Sequence, residues 1–400
     1  MIFPVKPKKI KYVYLDHAAT TPIDRGVFSA MKPYFFEKYA NASTLYKSGV
    51  INRDAVEKSR SVVARILGTQ SDSIIFTSGG TESCNLAIHP SALYKSGHII
   101  TTKVEHKAVL EPIGRLEKEG WKVTYLDVDE FGRIDLNDFK KAMCKDTKLV
   151  SIMYVNNEIG TVNPIGDIGR EILKYRKFNK IDYPYFHVDA CQASIYFDLN
   201  VEKLHVDMLS INGSKMYGPK GIGVLYKRRG INIKPIIIGG GQEMGFRGGT
   251  ENVAGIVGFA TAIEIINDKS QMSEEIGNLR NYFWSEIQNK IEGVSLNGPE
   301  IDLGDRSPNN LNVSFQGVEG EALVIYMDEY GVMFGTGSAC TNESVDVSHV
   351  LAACGKSDEE IESSVRFTLG KGVTKGDIDY VMKYLPGVVE GLRCGNFKYV

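Results

Sequence analysis

Two polar residues stand directly after apolar runs in the middle of the chain, and their chemistry is complementary. Phe186-His187-Val188-Asp189-Ala190-Cys191-Gln192 places an acid at the end of a β-rich run, and Ser210-Ile211-Asn212-Gly213-Ser214-Lys215 places a lysine just beyond another. A lysine that condenses with an aldehyde and a carboxylate that pairs with a ring nitrogen are what pyridoxal phosphate asks of a protein. An Asp and a Lys chosen blindly read instead as a surface salt bridge. A third segment adds a phosphate argument: Thr77-Ser78-Gly79-Gly80-Thr81-Glu82-Ser83 follows the apolar Ile74-Ile75-Phe76 and precedes a helical pattern. Free N–H groups and the helix dipole favour an anion there, although the same residues also read as an ordinary capped helix start. Gly335-Thr336-Gly337-Ser338-Ala339-Cys340-Thr341 sets a cysteine among small polar neighbours, with a further glycine at Gly331. Such backbone freedom suits a loop that carries a thiolate, whereas an isolated cysteine is usually a small buried hydrophobe.

Other familiar chemistries fail on spacing. Gly221-Ile222-Gly223 lacks the third glycine of a dinucleotide fingerprint, and Gly355-Lys356-Ser357 lacks the upstream glycine of a P-loop. The chain has no H-e-x-x-h zinc pattern, no G-x-s-x-g elbow and no C-x-x-c pair, so no metal site is expected.

The elements that must position these residues follow from periodicity. Strands are expected at Ser73–Thr77, His98–Thr102, Lys122–Leu126, Leu149–Val155, Tyr185–Asp189, Met208–Ile211 and Gly223–Tyr226, with helices such as Val50–Leu67 and Glu105–Glu119 between them. That alternation predicts an α/β fold around a mostly parallel sheet, which places Asp189 and Lys215 at strand ends, where open sheets bind ligands. After the glycine-rich 239–249 and a helix near Val253–Asn267 the pattern changes to charged helices and short strands such as Asn310–Phe315, so a second domain is expected from about residue 265.

Composition is compatible with all of this. The 400 residues are 43% hydrophobic and 24% charged, and 47 Lys+Arg against 49 Asp+Glu leave a charge of −2, so no basic field drives nucleic-acid or membrane binding. Six scattered cysteines argue for a reducing cytoplasm, and neither a signal peptide nor a membrane span is read.

Taken in order, the motifs from Tyr14-Leu15-Asp16-His17-Ala18-Ala19-Thr20-Thr21-Pro22 to Ser364-Val365-Arg366-Phe367-Thr368-Leu369-Gly370 resemble the pyridoxal-phosphate cysteine desulfurases of iron-sulfur assembly, within the class V aminotransferases. The resemblance implies a type I pyridoxal-phosphate transferase fold: a large domain over 17–265, and a smaller α+β domain of 1–16 and 266–400 carrying the Cys340 loop. It implies that Lys215 anchors the cofactor covalently, Asp189 pairs with the ring nitrogen, Gln192 and Asn157 flank the ring oxygen, and His106 stacks on the ring. On their own, His106 reads as a helix cap and Arg366 as an ion-pair arginine. Gly80, Thr81, Asn212 and Ser214 match the phosphate site, and Thr250 matches a residue lent by the partner subunit, which implies a homodimer with shared sites. Arg366, with Asn41 and Asn157, matches the substrate site. L-cysteine is then the substrate, Cys340 takes its sulfur as a persulfide, and alanine leaves; a cluster scaffold or tRNA-thiolation factor is the expected acceptor.

The chain departs from that pattern in places. Asn212-Gly213-Ser214-Lys215 has Ser214 where the family usually has histidine, Arg247-Gly248-Gly249-Thr250 has a glycine where serine is usual, and no proline follows Asn41. None of these removes a catalytic group. A selenocysteine lyase, or another class V lyase or aminotransferase, is the alternative; Cys340 argues against transamination, which needs no thiol.

Overall fold

The structure, a computed structural model, describes residues 3–89, 96–266, 269–301, 304–336 and 348–395. Its strands are β1 (Val13–Tyr14), β2 (Ile74–Thr77), β3 (His98–Thr102), β4 (Lys122–Leu126), β5 (Thr147–Ser151), β6 (Tyr185–Asp189), β7 (Met208–Asn212) and β8 (Gly223–Lys227), then β9 (Val294–Asn297), β10 (Asn310–Phe315), β11 (Val332–Met333), β12 (Gly335–Thr336) and β13 (Ser364–Thr368). A seven-stranded sheet runs in the order β2-β8-β7-β6-β5-β3-β4. The pairs β7/β6, β6/β5, β5/β3 and β3/β4 are parallel, and β8 runs antiparallel to both of its neighbours. Burial explains why these strands read as unbroken apolar runs: β2, β3 and β8 are buried along their whole length, as expected of a sheet covered on both faces.

Because β8 alone is reversed, β2 points the same way as β7. The C-terminal ends of β2, β3, β5, β6 and β7 therefore open on one edge of the sheet, the edge where α/β folds hold ligands. The sequence expectation for the fifth strand ran to Val155, but the ladder ends at Ser151. The Ile152 and Tyr154 N–H groups still reach the carbonyls of His187 and Asp189 at 3.2 and 2.9 Å before the chain turns away.

The smaller sheet, β12-β13-β10-β9, is antiparallel. Phe367 on β13 fixes it to its helical cover and to Phe334, with ring centroids 5.0 Å from Phe283 and 4.5 Å from Phe334. The N-terminal segment joins this part of the molecule, since β1 pairs in parallel with β11 and Asp16 bridges to Thr368.

Candidate active site

Lys215 closes a short 3-10 turn, Gly213–Lys215, immediately after β7. The segment that follows β1 wraps it: Thr21 N–H and Oγ1 donate to the Ser214 carbonyl at 2.8 and 3.1 Å, and Tyr217 N–H donates to Thr21 Oγ1 at 2.7 Å. Lys215 Nζ is left to donate to the carbonyls of Ala18 and Ala19 at 2.7 and 2.5 Å. Burial lowers its pKa, and Cys191, Asp16 and Asp189 oppose that effect while Arg366 adds to it. An amine whose charge is disfavoured in this way is suited to condensing with an aldehyde and to taking up a proton. Gln192 joins the same point, its Nε2 donating to the Ala18 carbonyl at 3.0 Å.

Asp189 is buried at the end of β6, where its Oδ1 accepts from Cys191 N–H at 2.9 Å. The phosphate cradle lies on the other side of β7. Gly223 pairs with both Thr77 and Asn212, and a Cβ on it would come within 2.6–2.9 Å of the Gly79 backbone, so only glycine lets the loop cross here. A Cβ at Gly80 would lie 2.5 Å from Cys191 Sγ and 3.7 Å from Asn212 Nδ2. No side chain caps the helix Gly80–Ile88 at Gly79, so its first N–H groups are available to an external anion beside the Asn212 amide. Ser214 Oγ donates to Asn212 Oδ1 at 3.2 Å. A lysine that has no carboxylate partner among the described residues, an acid across from it and a helix start that no described side chain caps, all on one sheet edge, fit pyridoxal phosphate.

His106 is the N-cap of the helix Lys107–Lys118, beyond β3, and its Nδ1 accepts from Ala108 N–H at 3.0 Å. Burial lowers its pKa, with Asp189 opposing. The neutral ring with Nδ1 so occupied carries its proton on Nε2, which makes it a donor at that atom. Beside it, Glu105 is wholly buried; Oε1 accepts from Thr102 Oγ1 at 2.9 Å and Met153 N–H at 2.8 Å, while Oε2 has no partner among the described residues. Burial pushes this carboxyl up to about 8.

On β13, Arg366 Nη1 donates to the Asn157 carbonyl at 2.9 Å and Nη2 to Asp16 Oδ1 at 2.8 Å. Its Nε is buried without a partner among the described residues. The structure thus gathers Lys215, Asp189, Gln192, His106, Gly80, Thr81, Asn212, Ser214, Asn157 and Arg366 along one sheet edge and the β13 strand facing it. Asn41 and Thr250 meet elsewhere, in a cavity of about 290 Å³ lined also by Phe35 and Tyr39. Cys340 lies outside the described residues. Sequence reading missed Asp16 and the Ala18 and Ala19 carbonyls as neighbours of Lys215 and Arg366. Asp16 lay within the Tyr14–Pro22 motif and carried a usable signal; backbone acceptors carry none.

Fold and site together define a pyridoxal-phosphate enzyme of type I architecture. Residues 13–381 match the model of the family "Aminotransferase class-V". The chain is 49% identical over 385 residues to the cysteine desulfurase IscS of Dictyoglomus turgidum, covering 95% of each chain. Among solved structures it is similar to a NifS-like protein, with a TM-score of 0.87 at 37% identity over 95% of this chain and 100% of that one. It is also similar to SspA in complex with cysteine, with a TM-score of 0.78 at 36% identity over 89% and 98%. The chain belongs to the class V aminotransferase family, and within it to the pyridoxal-phosphate-dependent cysteine desulfurases. These matches give no preference to the lyase and transaminase alternatives.

Proposed function

We propose that this chain removes sulfur from L-cysteine, releases L-alanine, and carries the sulfur on Cys340 as a persulfide bound for an acceptor protein. The observation that carries the reading is Lys215, held on two carbonyls across from Asp189 with the Arg366 guanidinium close by. Pyridoxal phosphate supplies a conjugated electron sink next to the substrate Cα. The chain's own residues do the rest. Lys215 would hold the cofactor and move the Cα proton, Asp189 would pair with the ring nitrogen, Gln192 and Asn157 would serve the ring oxygen, and the Gly80–Thr81 helix start, Asn212 and Ser214 would hold the phosphate. Arg366 takes the substrate carboxylate, a role fitted to its planar fork, with Asn157 alongside. His106 covers the ring and donates from Nε2. The thiolate of Cys340 attacks the substrate sulfur: the carbon–sulfur bond breaks, a sulfur–sulfur bond forms, and the carbon retains the electron pair and takes up a proton, giving alanine without an external oxidant or reductant.

The large cofactor-binding unit is assigned to 17–265 and the smaller one, with the Cys340 segment, to 1–16 and 266–400. Thr250 reaches the phosphate of a second copy in a homodimer, supported by the apolar surface around it. The sulfur goes on to iron-sulfur clusters or to tRNA thiolation. A reducing cytoplasm fits the free thiols Cys84, Cys144, Cys191, Cys354 and Cys394, and no helix among the described residues is long and apolar enough to cross a membrane.

The test is to incubate the holoenzyme with cysteine and a reductant and to measure alanine and sulfide together, with mass spectrometry of the Cys340 peptide after brief treatment without reductant. Equal alanine and sulfide, and one added sulfur on Cys340, are expected. Cys340→Ser is expected to exchange the Cα proton but to form alanine at least about a hundredfold more slowly, since a hydroxyl is a poor nucleophile toward sulfur. Alanine release by that variant at the wild-type rate overturns the persulfide assignment.

A further inference from the structure

The arginine read as the carboxylate clamp does not stand alone. Asp16 Oδ1 accepts from Arg366 Nη2 at 2.8 Å, and both side chains are largely buried, 21% and 10% exposed. The backbone of Asp16 is held in turn: its carbonyl accepts from the Tyr14 hydroxyl at 2.9 Å and from Ala19 N–H at 3.0 Å, and the residue bridges to Thr368 on the same strand as Arg366. Gly335 faces Arg366 across the β12/β13 pair, and a Cβ there would lie 3.2 Å from Arg366 Nη2 and 3.3 Å from Asp16 Oδ1. The strand therefore leaves room for the ion pair. A long guanidinium side chain loses rotamer freedom whenever it must present one edge to a ligand. Here Asp16 and the Asn157 carbonyl each take one terminal nitrogen, and the buried Nε has no partner among the described residues.

We propose that Asp16 is a positioning residue for the substrate carboxylate: it fixes the plane of the Arg366 guanidinium so that the remaining terminal N–H groups meet an α-amino acid carboxylate with the fork already oriented. Asp16 thereby makes the site selective for amino acids over the corresponding amines. This rests on the reading of Arg366 as the carboxylate clamp. Asp16 also balances the charge of a guanidinium and a lysine that share a small space, which makes it costly to remove.

The test uses holoenzyme variants and two probes that differ in one group. L-alanine carries the carboxylate and has no sulfur to lose; cysteamine lacks the carboxylate. Dissociation constants are read from the change in visible absorbance on titration, with thermal midpoints recorded in parallel. Asp16→Ala is expected to weaken L-alanine by about tenfold and to leave cysteamine within about twofold. Asp16→Asn keeps an oxygen acceptor without the charge and should fall between. Arg366→Gln is expected to weaken L-alanine at least as much, again without affecting cysteamine. If Asp16→Ala leaves L-alanine unchanged, or weakens both probes alike, the positioning role is overturned. If instead Arg366→Gln leaves L-alanine binding intact, it is the clamp reading that fails. Should Asp16→Ala not fold, Asp16→Asn decides: a loss of about threefold for L-alanine alone supports the role, and no change removes it.

Discussion

At the scale of single residues, the site sets two nitrogen bases in environments that disfavour their charge. Burial lowers the pKa of both Lys215 and His106, so near neutrality each spends more time uncharged than in water. Lys215→Ala removes the proposed covalent anchor and base while deleting only hydrogen bonds to Ala18 and Ala19. It is expected to lose the visible band that borohydride abolishes in wild type, and all alanine formation, with a thermal midpoint within a few degrees of wild type. Residual turnover at the wild-type rate would mean that another lysine holds the cofactor. Glu105 gives a pH prediction. Its carboxyl rises from the ordinary 4.5 to about 8 on burial, so between those values the folded chain holds a proton that the unfolded chain has lost. Stability from this group therefore falls as pH rises from about 4.5 to 8. Glu105→Gln keeps the acceptor for Met153 and Thr102 without a charge to bury. Its thermal midpoint should exceed that of wild type at pH 8 and converge with it near pH 5. Equal midpoints at both values would show an ionised Glu105 in the folded state.

Among the elements, the cradle depends on backbone contact more than on side chains. Gly80→Ala suits a helix start, but its Cβ would stand 2.5 Å from Cys191 Sγ, so either the helix or the segment after Asp189 must move. The variant is expected to release cofactor about tenfold more readily in dialysis, and Cys191→Ala should restore retention by removing the sulfur. Failure of the double variant to recover would place the fault elsewhere. His98–Thr102 and Tyr185–Asp189 were read to the residue because buried parallel strands spell apolar runs; Lys122–Leu126, a half-exposed edge strand, and Asn310–Phe315, buried but antiparallel, were read to the residue from their β-branched and aromatic side chains. The two-residue β11 and β12 are too short to carry a period. Nor does any periodicity say that β8 runs backwards, although that reversal is what turns β2 toward the site. Asp189 and Lys215 were readable as candidates because an acid and an amine at strand ends suggest a chemistry by residue type alone. Asp16 stood in a motif that the sequence already singled out, but its pairing with Arg366 becomes visible only when Asp16 is seen to bridge to β13.

For the whole molecule, the surface around Asn41 and Thr250 is built unlike a solvent face. The helices Arg25–Met31, Pro33–Phe36 and Lys47–Leu67 pack around Val253–Ile265. That group, with its connecting loops, exposes Phe28, Phe35, Phe36, Tyr39, Leu45, Tyr46 and Ile51, of which Leu45 is 90% and Tyr39 76% exposed. Ile238, in the glycine-rich stretch that leads to Thr250, is 86% exposed. So many large apolar side chains on one set of packed helices are what the proposed homodimer would cover. A stable pair of chains needs roughly 800 Å² from each partner, and a second copy seated here would also deliver Thr250 beyond its own chain. The wild-type protein is therefore expected to sediment at twice the 44.3 kDa chain mass. Phe36→Asp combined with Tyr39→Asp puts charge on this face without touching Lys215, Asp189 or Arg366. The double variant should sediment as a single chain and should also retain cofactor less well, because a phosphate donor from the partner is lost with the contact. Thr250→Ala, still dimeric, should reproduce the loss of retention alone. A double variant that becomes monomeric with undiminished retention would confine Thr250 to a role within its own chain, and one that stays dimeric would move the interface to another face.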